Sequence, residues 1–413
     1  MIKIWDKHNC CGCLACLNAC PKKCISLKPD TEGFSYPIAD ESICINCGIC
    51  EKVCPFLNPH KNSASPECFA MQSKNCEILK KCSSGGVFPE LAKETLSRGG
   101  IVFGAAYTED FKGVKHIAIT SEDELPKIMG SKYLQSDMGV VYAQVKDAVK
   151  NGRETLFSGT PCQVAGIKNF LGNLSSRPNY LAVEIICHGV PTPKYWGKYI
   201  NEYVLKKAEE IDKTAKLTEV NLRDKSDGWQ NYKFKFSFTS ESKSFKIEEN
   251  RKKSFFMLPF LANLTIRPSC QNCKCKYDNS MADITIGDFW GYDGTFPKET
   301  TANGISCVLA TTEKGREKIG SISARFSTEQ TVLKILKDKN PALIKSAKIP
   351  CRKRKTFFAN FENPNLLQIA AKLSRKSFFK KQAAKLTLFL TLLSTAPKRV
   401  ISFFIKRFRT LFK

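Results

Sequence analysis

Two copies of one cysteine spacing constrain this chain more than any other feature. Cys10, Cys13, Cys16 and Cys20-Pro21 read C-x2-C-x2-C-x3-C-P, and Cys44, Cys47, Cys50 and Cys54-Pro55 repeat the run 34 residues later. Three thiolates on one tight loop can take three corners of a four-iron cubane, while the proline turns the fourth cysteine towards the other cluster. The spacing predicts that Cys10, Cys13, Cys16 and Cys54 hold one [4Fe–4S] cluster, and Cys44, Cys47, Cys50 and Cys20 a second. A pair of zinc knuckles is the alternative, but zinc sites pair C-x-x-C units and have no need of the triplet. Cys11 and Cys24 fall outside the pattern and are read as non-ligands.

The remaining composition agrees with reduced, metal-binding thiols. Twenty cysteines occur in 413 residues, thirteen of them within residues 1–82. The opening residues, Met1 to His8, lack the basic-then-apolar order of a signal peptide. The longest apolar run near the C-terminus, Leu386 to Leu393, is interrupted by Thr387 and Thr391, and a spanning helix needs about 20 residues. The expectation is a cytoplasmic protein. Apolar residues at 42% and charged residues at 25% exclude a wholly disordered chain, a collagen and a multi-span membrane protein.

The formal charge of +26 is unevenly spread. Residues 1–60 hold six Lys/Arg and six Asp/Glu, whereas residues 351–413 hold sixteen Lys/Arg against one Glu. The basic balance belongs to the tail and not to the whole fold, and no nucleic-acid motif accompanies it. A nucleic-acid partner is not expected.

Two cubanes in the arrangement of a bacterial ferredoxin pass single electrons and make no bonds by themselves. Fused to roughly 350 further residues, they suggest a redox enzyme with a second cofactor. Pro59 to Pro66 is the best linker. Beyond it, short apolar runs alternate with helical patterns, as in mixed α/β or α+β proteins. Segments 100–104, 115–120, 155–157 and 181–186 read as strands. Residues 232–239 alternate cleanly and read as a half-exposed strand. Asp137 to Lys150 reads as a helix capped by Ser136 or Asp137 and stopped by Asn151-Gly152.

Several loops carry candidate chemistry. Ser83-Ser84-Gly85-Gly86 precedes a helical pattern, and small residues at a helix start can expose N–H groups to a phosphate. Ser158-Gly159-Thr160-Pro161-Cys162-Gln163 follows a strand and opens another helix, so the same reasoning applies. Gly130-Ser131-Lys132-Tyr133 offers a cation and an aromatic ring on a turn. No G-x-G-x-x-G follows a strand, which disfavours a Rossmann site. Cys187-His188-Gly189 ends a buried strand, and Cys270, Cys273 and Cys275 form a close group. With Cys162 also at a strand end, these cysteines are open to three readings: a third iron–sulfur site, a zinc site, or unliganded thiols.

Taken together, these segments resemble the coenzyme F420 hydrogenase/dehydrogenase beta subunit family over roughly residues 1–315. The marks, in the family's order, are Cys82-Ser83-Ser84-Gly85-Gly86, Gly130-Ser131-Lys132-Tyr133, Gly159-Thr160-Pro161-Cys162-Gln163 and Cys187-His188-Gly189. Arg223-Asp224-Lys225 ahead of Gly228-Trp229, Arg267-Pro268-Ser269-Cys270 and Gly287-Asp288-Phe289-Trp290-Gly291 complete them.

The resemblance implies an FAD flavoprotein. It places a third [4Fe–4S] cluster on Cys162, Cys187, Cys270 and Cys273, with Cys275 a spare or alternative ligand. Ser83, Ser84, Gly85, Gly86, Gly130, Ser131, Lys132, Tyr133, Gly159 and Thr160 are then the candidate flavin contacts. Lys132 and His188 are the candidate catalytic residues, and Arg223 and Lys225 are further candidates for coenzyme contacts. The hydride carrier would be coenzyme F420, NAD(P)H or a substrate reduced directly at FAD. The expected domains are a ferredoxin-type unit over 1–62, the two parts of a flavin-binding mixed-sheet domain over 66–152 and 153–320, and a helical basic tail over 321–413. The expected function is an iron–sulfur flavoprotein oxidoreductase exchanging electrons with a redox partner protein or hydride carrier. A non-catalytic electron-transfer subunit is the alternative.

The tail has its own pattern. At 100° per residue, Arg399, Lys406, Arg409 and Lys413 fall opposite Ile401, Phe404, Ile405, Phe408, Leu411 and Phe412. Such a helix can lie on an anionic membrane surface. The expectation is peripheral contact of residues 374–413 with the inner face of a membrane, against the alternative of packing on protein.

Overall fold

The computed structural model describes residues 1–375 apart from Trp5. The amphipathic pattern beyond Arg375, and most of the segment expected at a membrane, lie outside the described residues. Among the described residues no helix is long and apolar enough to cross a membrane.

The N-terminal unit is a pseudo-symmetric pair of cysteine loops on a small hairpin. Helix α1 (Ala15–Ala19) follows the first cysteine loop, strands β1 (Ile25–Pro29) and β2 (Ser35–Ala39) pair antiparallel, and α2 (Ile49–Lys52) follows the second loop. The 34-residue repeat extends to the backbone. Gly12 and Asn46 are left-handed at φ 69° and 53°, and Leu14 and Gly48 at 66° and 72°. Both loops thus curl the same way. Leu14 bears a side chain in this conformation, at a cost of roughly 1–2 kcal/mol for an L-residue.

The larger unit is built on one mixed sheet. Its strands are β3 (Glu67–Ser73), β4 (Ile101–Tyr107), β5 (Val114–Ile119), β6 (Thr155–Gly159) and β7 (Tyr180–Ile185). The chain then leaves for a separate antiparallel meander of β8 (Lys216–Asp224), β9 (Lys233–Thr239) and β10 (Ser244–Asn250), and returns with β11 (Ile284–Asp288), β12 (Ser306–Ala310) and β13 (Phe326–Thr331). The order β13-β3-β12-β11-β7-β6-β4-β5 has a parallel centre, β4-β6-β7-β11, flanked by antiparallel pairs. The sheet therefore draws strands from both sides of residue 152. The segment expected as a helical tail from 321 still supplies β13, which pairs with β3.

Alternation along the parallel strands sends side chains to two cores. Val102, Leu156 and Val183 pack under helix α3 (Val87–Ser97). Phe103, Phe157 and Ala182 face α4 (Val141–Lys150) and α5 (Pro161–Leu171). The second core also takes in Cys11, Cys13, Ala15, Val53 and Phe56, so the cysteine-loop unit is packed on that face of the sheet. Helix α5 comes especially near: a Cβ on Gly166 would meet Cys13 Sγ at 3.0 Å and the Tyr142 hydroxyl at 2.7 Å.

Helix α4 begins at Val141, four residues later than its pattern suggests. Asp137 is used elsewhere. Its N–H donates to Val114 O and its C=O accepts from His116 N, both at 2.8 Å, which extends β5 instead of starting a turn of helix. Asn151-Gly152 ends the helix as expected, with Gly152 at φ 73°.

Candidate functional site

The structure gathers the eight cysteines of the repeat into two groups. Cys20, Cys44, Cys47 and Cys50 line one outer pocket together with Cys24, whose Sγ lies 3.4 Å from that of Cys20. Cys16, Cys10, Cys13 and Cys54 form the inner group, near enough to feel one another's charge. In each group the fourth cysteine comes from the other run. Cys47 is exposed, whereas Cys10 and Cys13 are buried against the larger unit.

A third group lies across the interface. Cys162 at the start of α5, Cys187 after β7, and Cys270 and Cys273 in the 268–273 loop line a single pocket with His188 and Lys276. Burial pushes the Cys187 thiol up, and the Cys270 thiol up to about 12. Cys273 goes the other way, lowered to about 6 by hydrogen bonding from Cys275 and helped by the Lys276 ammonium, so the pocket favours a thiolate there and thiols at Cys187 and Cys270 until positive charge binds. Cys275 sits behind the pocket and hydrogen-bonds Cys273. Among the described residues no three Cys, His, Asp or Glu side chains converge to grip one ion. A mononuclear zinc site would draw its thiolates to about 2.3 Å from one point. The all-sulfur donors of these groups suit a four-iron cage. Cys11 stands between the inner group and the third pocket, within hydrogen-bonding reach of both Cys13 and Cys162.

The loops read as flavin candidates converge on the far side. Ser131 N and Oγ donate to Ser83 Oγ at 2.7 and 2.9 Å. Arg223 Nη2 donates to Ser83 O at 2.9 Å, and Nη1 reaches the Tyr133 hydroxyl at 3.4 Å. Its guanidinium grips Asp288 through both oxygens, at 2.9 and 3.1 Å, and lies 4.1 Å from the ring centre of Tyr232. Trp229 and Trp290 stack at 4.9 Å and 5° beside it. Lys225 donates to Ser84 O and Asn303 O at 3.3 and 2.7 Å.

The expected phosphate cradle is largely occupied by the protein itself. Gly85 N–H donates to Ser306 Oγ and Ser84 Oγ to Ile305 O, both at 2.9 Å, binding this loop to β12. A Cβ on Gly85 would meet Met71 O at 2.2 Å, so the glycine serves a close approach of backbones. The loop's charged and aromatic neighbours fit a flavin better than its own N–H groups do.

Not every candidate reaches this place. Thr160 Oγ1 lies 3.3 Å from Cys162 Sγ, so Gly159-Thr160 belong to the cysteine side. His188 also lies there, with Nε2 2.6 Å from Asn263 Oδ1 and its ring edge-on to Phe260 at 5.3 Å. Phe260 in turn meets Tyr133 at 5.7 Å, so one ring separates the third pocket from the Tyr133–Arg223 contact. Lys132 donates to Met129 O at 2.7 Å, and burial lowers its ammonium to about 7.

Two family models match parts of the chain. The model for the C terminus of the coenzyme F420 hydrogenase/dehydrogenase beta subunit matches residues 152–332, and that of a 4Fe-4S dicluster domain matches residues 9–58. The chain thus resembles a dicluster domain near its N-terminus and the C-terminal domain of a coenzyme F420 hydrogenase/dehydrogenase beta subunit beyond it. It is 27% identical over 206 residues to the uncharacterized protein MJ1349 of Methanocaldococcus jannaschii, covering 41% of this chain and 55% of that protein. The chain thus spans about half the length of the curated relative it matches. Among solved structures it is similar to a chain of the F420-reducing [NiFe] hydrogenase complex from Methanosarcina barkeri, at 20% identity and TM-score 0.43, covering 71% of this chain and 98% of that one.

Several residues at the centre of the geometry owe their role to contacts that the sequence does not show. Gln135 Nε2 donates to Cys11 O and Gly12 O at 3.0 and 2.9 Å, and its Oε1 accepts from Arg267 at 3.1 Å. His116 and Ser136 share a 2.8 Å hydrogen bond, and Gln163 Nε2 donates to Ser136 Oγ at 2.8 Å. Only the fold brings these polar side chains together.

Proposed function

We propose that this chain is an iron–sulfur flavoprotein oxidoreductase. It carries two [4Fe–4S] clusters on the repeat and a third on Cys162, Cys187, Cys270 and Cys273, with FAD held by the loops that meet at Ser83, Ser131, Tyr133 and Arg223. One observation carries the reading: the segment from Gly130 to Ser136 touches both the inner cysteine loop and the loops proposed to hold FAD. Ser131 binds the 82–86 loop, Tyr133 meets Arg223 and Phe260, and Gln135 binds the inner cysteine loop. A single short stretch therefore holds the inner cysteine loop and the aromatic, cationic cluster around Arg223 in fixed relation.

When bound, a flavin supplies the exchange between a two-electron hydride step and single-electron steps. The chain's residues supply the setting. Arg223 and Lys225 provide positive charge, Trp229, Trp290 and Tyr232 exclude water, and Lys132 offers a proton at Nζ near neutral pH. Cys11, between Cys13 and Cys162, fills the space between the inner and third groups. The carrier is coenzyme F420, NAD(P)H or a substrate reduced directly.

A relay subunit without a substrate site of its own is the second reading. The exposure of Cys47 favours it, since an outer cluster at the surface can exchange electrons with a redox partner protein. Anaerobic purification with iron, sulfide and flavin quantitation on one sample tests the proposal. About twelve irons with one FAD per chain are expected for three cubanes and a flavin. Iron without flavin moves the reading to the relay subunit, and zinc in place of iron overturns it.

A further inference from the structure

Arg267 belongs to the loop of the third cysteine pocket, yet its side chain leaves that loop and enters the dicluster unit. It is 1% exposed. Nε donates to Cys10 O at 2.7 Å, and Nη2 to Ser35 O at 2.9 Å and to Cys10 Sγ at 3.6 Å. Nη1 donates to Gln135 Oε1 at 3.1 Å, and the guanidinium carbon lies 4.5 Å from the Tyr36 ring centre and 5.4 Å from that of Phe34. These hydrogen-bond partners are carbonyls, an amide and a sulfur, with no carboxylate among them. A buried cation so placed is costly unless negative charge stands near it, and among its described hydrogen-bond partners the Cys10 sulfur, anionic once it ligates a cluster, is the one that can supply that charge.

The outer group has a different setting. Cys44, the repeat counterpart of Cys10, has Asn46 Oδ1 within 3.8 Å of its sulfur. The cations lining that pocket are Lys22, which is exposed, and the Met1 ammonium, which pairs with Glu51 at 3.3 Å. Water and a carboxylate screen both.

We propose that Arg267 sets the reduction potential of the cluster on Cys10, Cys13, Cys16 and Cys54, making it the easier of the two dicluster sites to reduce. The inference rests on the cluster assignment in the preceding subsection. Reduction places one electron, and so one negative charge, on the cluster. A fixed cation donating to a ligand sulfur in a dry site stabilises that charge, and hydrogen bonds to cluster sulfurs and net charge are among the determinants of potential. Gln135 aims the guanidinium by accepting from Nη1. The pair is then graded, with the inner cluster, next to Cys11 and the third pocket, as the resting place of the first electron.

Anaerobic redox titration followed by electron paramagnetic resonance tests this on the full chain. Cys47→Ser and Cys270→Ser backgrounds assign the outer and third signals. Arg267→Gln is expected to lower the inner midpoint by at least a tenfold change in its reduction equilibrium, which is about 59 mV for one electron. Arg267→Lys keeps the charge and gives a smaller shift. Gln135→Glu leaves Arg267 in place, sets a carboxylate against it, and shifts the inner midpoint in the same direction. The outer midpoint stays unchanged in all three. If Arg267→Gln does not assemble, Gln135→Glu and Arg267→Lys decide. An unmoved inner midpoint in Arg267→Gln, or in Gln135→Glu where that variant does not assemble, with full iron and sulfide overturns the inference and leaves the cluster assignment standing. A parent protein without iron and sulfide overturns the assignment itself.

Discussion

Asp288 holds Arg223 by both carboxylate oxygens, at 2.9 and 3.1 Å, while a third bond to Asp288 comes from Trp229 Nε1 at 3.1 Å. The Arg223 side chain is 3% exposed and that of Asp288 16%. This pair joins β8 to β11 and supports Ser83 and Tyr133 from below. Removing one partner leaves the other charged and buried, a loss of about 3–5 kcal/mol, whereas replacing both by apolar groups is far milder. Asp288→Ala is therefore expected to lower the urea midpoint, followed by far-ultraviolet circular dichroism, more than the double variant Arg223→Met/Asp288→Leu. Equal midpoints for the two would remove the pair's central role.

The eight cysteines of the repeat are legible in the sequence because their geometry is local: a loop of fixed spacing brings its thiols together wherever the rest of the chain goes. The third pocket is less so, since Cys162, Cys187 and Cys270 come from distant segments that only the sheet places side by side. The strands at 101–107, 155–159 and 180–185 follow from apolar runs between turn residues. Asp137 misleads because an Asp before an apolar pattern looks like a cap, while here its backbone pairs with β5. Gln135 carries no signal of its own, and Arg267 is marked in the sequence only as part of Arg267-Pro268-Ser269-Cys270, with nothing to say that its side chain enters the dicluster unit. One arginine among 65 cations acquires meaning only when a domain packs around it.

His116 gives a pH prediction. Its ring is buried, with Nδ1 2.8 Å from Ser136 Oγ and Nε2 2.9 Å from Ser158 O. Ser158 O can only accept, so Nε2 carries the proton and Nδ1 accepts a hydrogen bond from the Ser136 hydroxyl. Burial lowers this histidine from 6.5 to about 4. The folded state thus prefers neutral imidazole, and the unfolded chain binds a proton first as pH falls. Stability from this group is complete above about 6.5 and declines between 6.5 and 4. The stability advantage of the parent over His116→Gln should shrink across that window, measured as the difference in urea midpoints. A constant difference from about pH 7 to pH 4 would count against a buried neutral ring.

Lys132 titrates on the other side of neutrality. Burial lowers its ammonium from 10.5 to about 7. Between those values the folded state has released a proton that the unfolded chain still holds, so stability from this group rises with pH across the window. Relative to Lys132→Met, the parent protein should gain stability from about pH 7 to pH 10. A flat difference would place the ammonium in water.

The third pocket makes the most direct prediction about metal. Cys187 and Cys270 line it, while Cys275 lies behind Cys273. Losing one ligand of a cubane usually loses or degrades the cluster, and the cysteine repeat on the other side of Cys11 stays intact. Cys187→Ser and Cys270→Ser are expected to reduce the iron content from about twelve to about eight per chain, with matching loss of sulfide. Cys275→Ser is expected to keep the parent value. Retention of all iron in Cys187→Ser together with loss in Cys275→Ser would move the ligand role from one cysteine to the other. The two are close enough around Cys162 and Cys273 for the assay to discriminate between them.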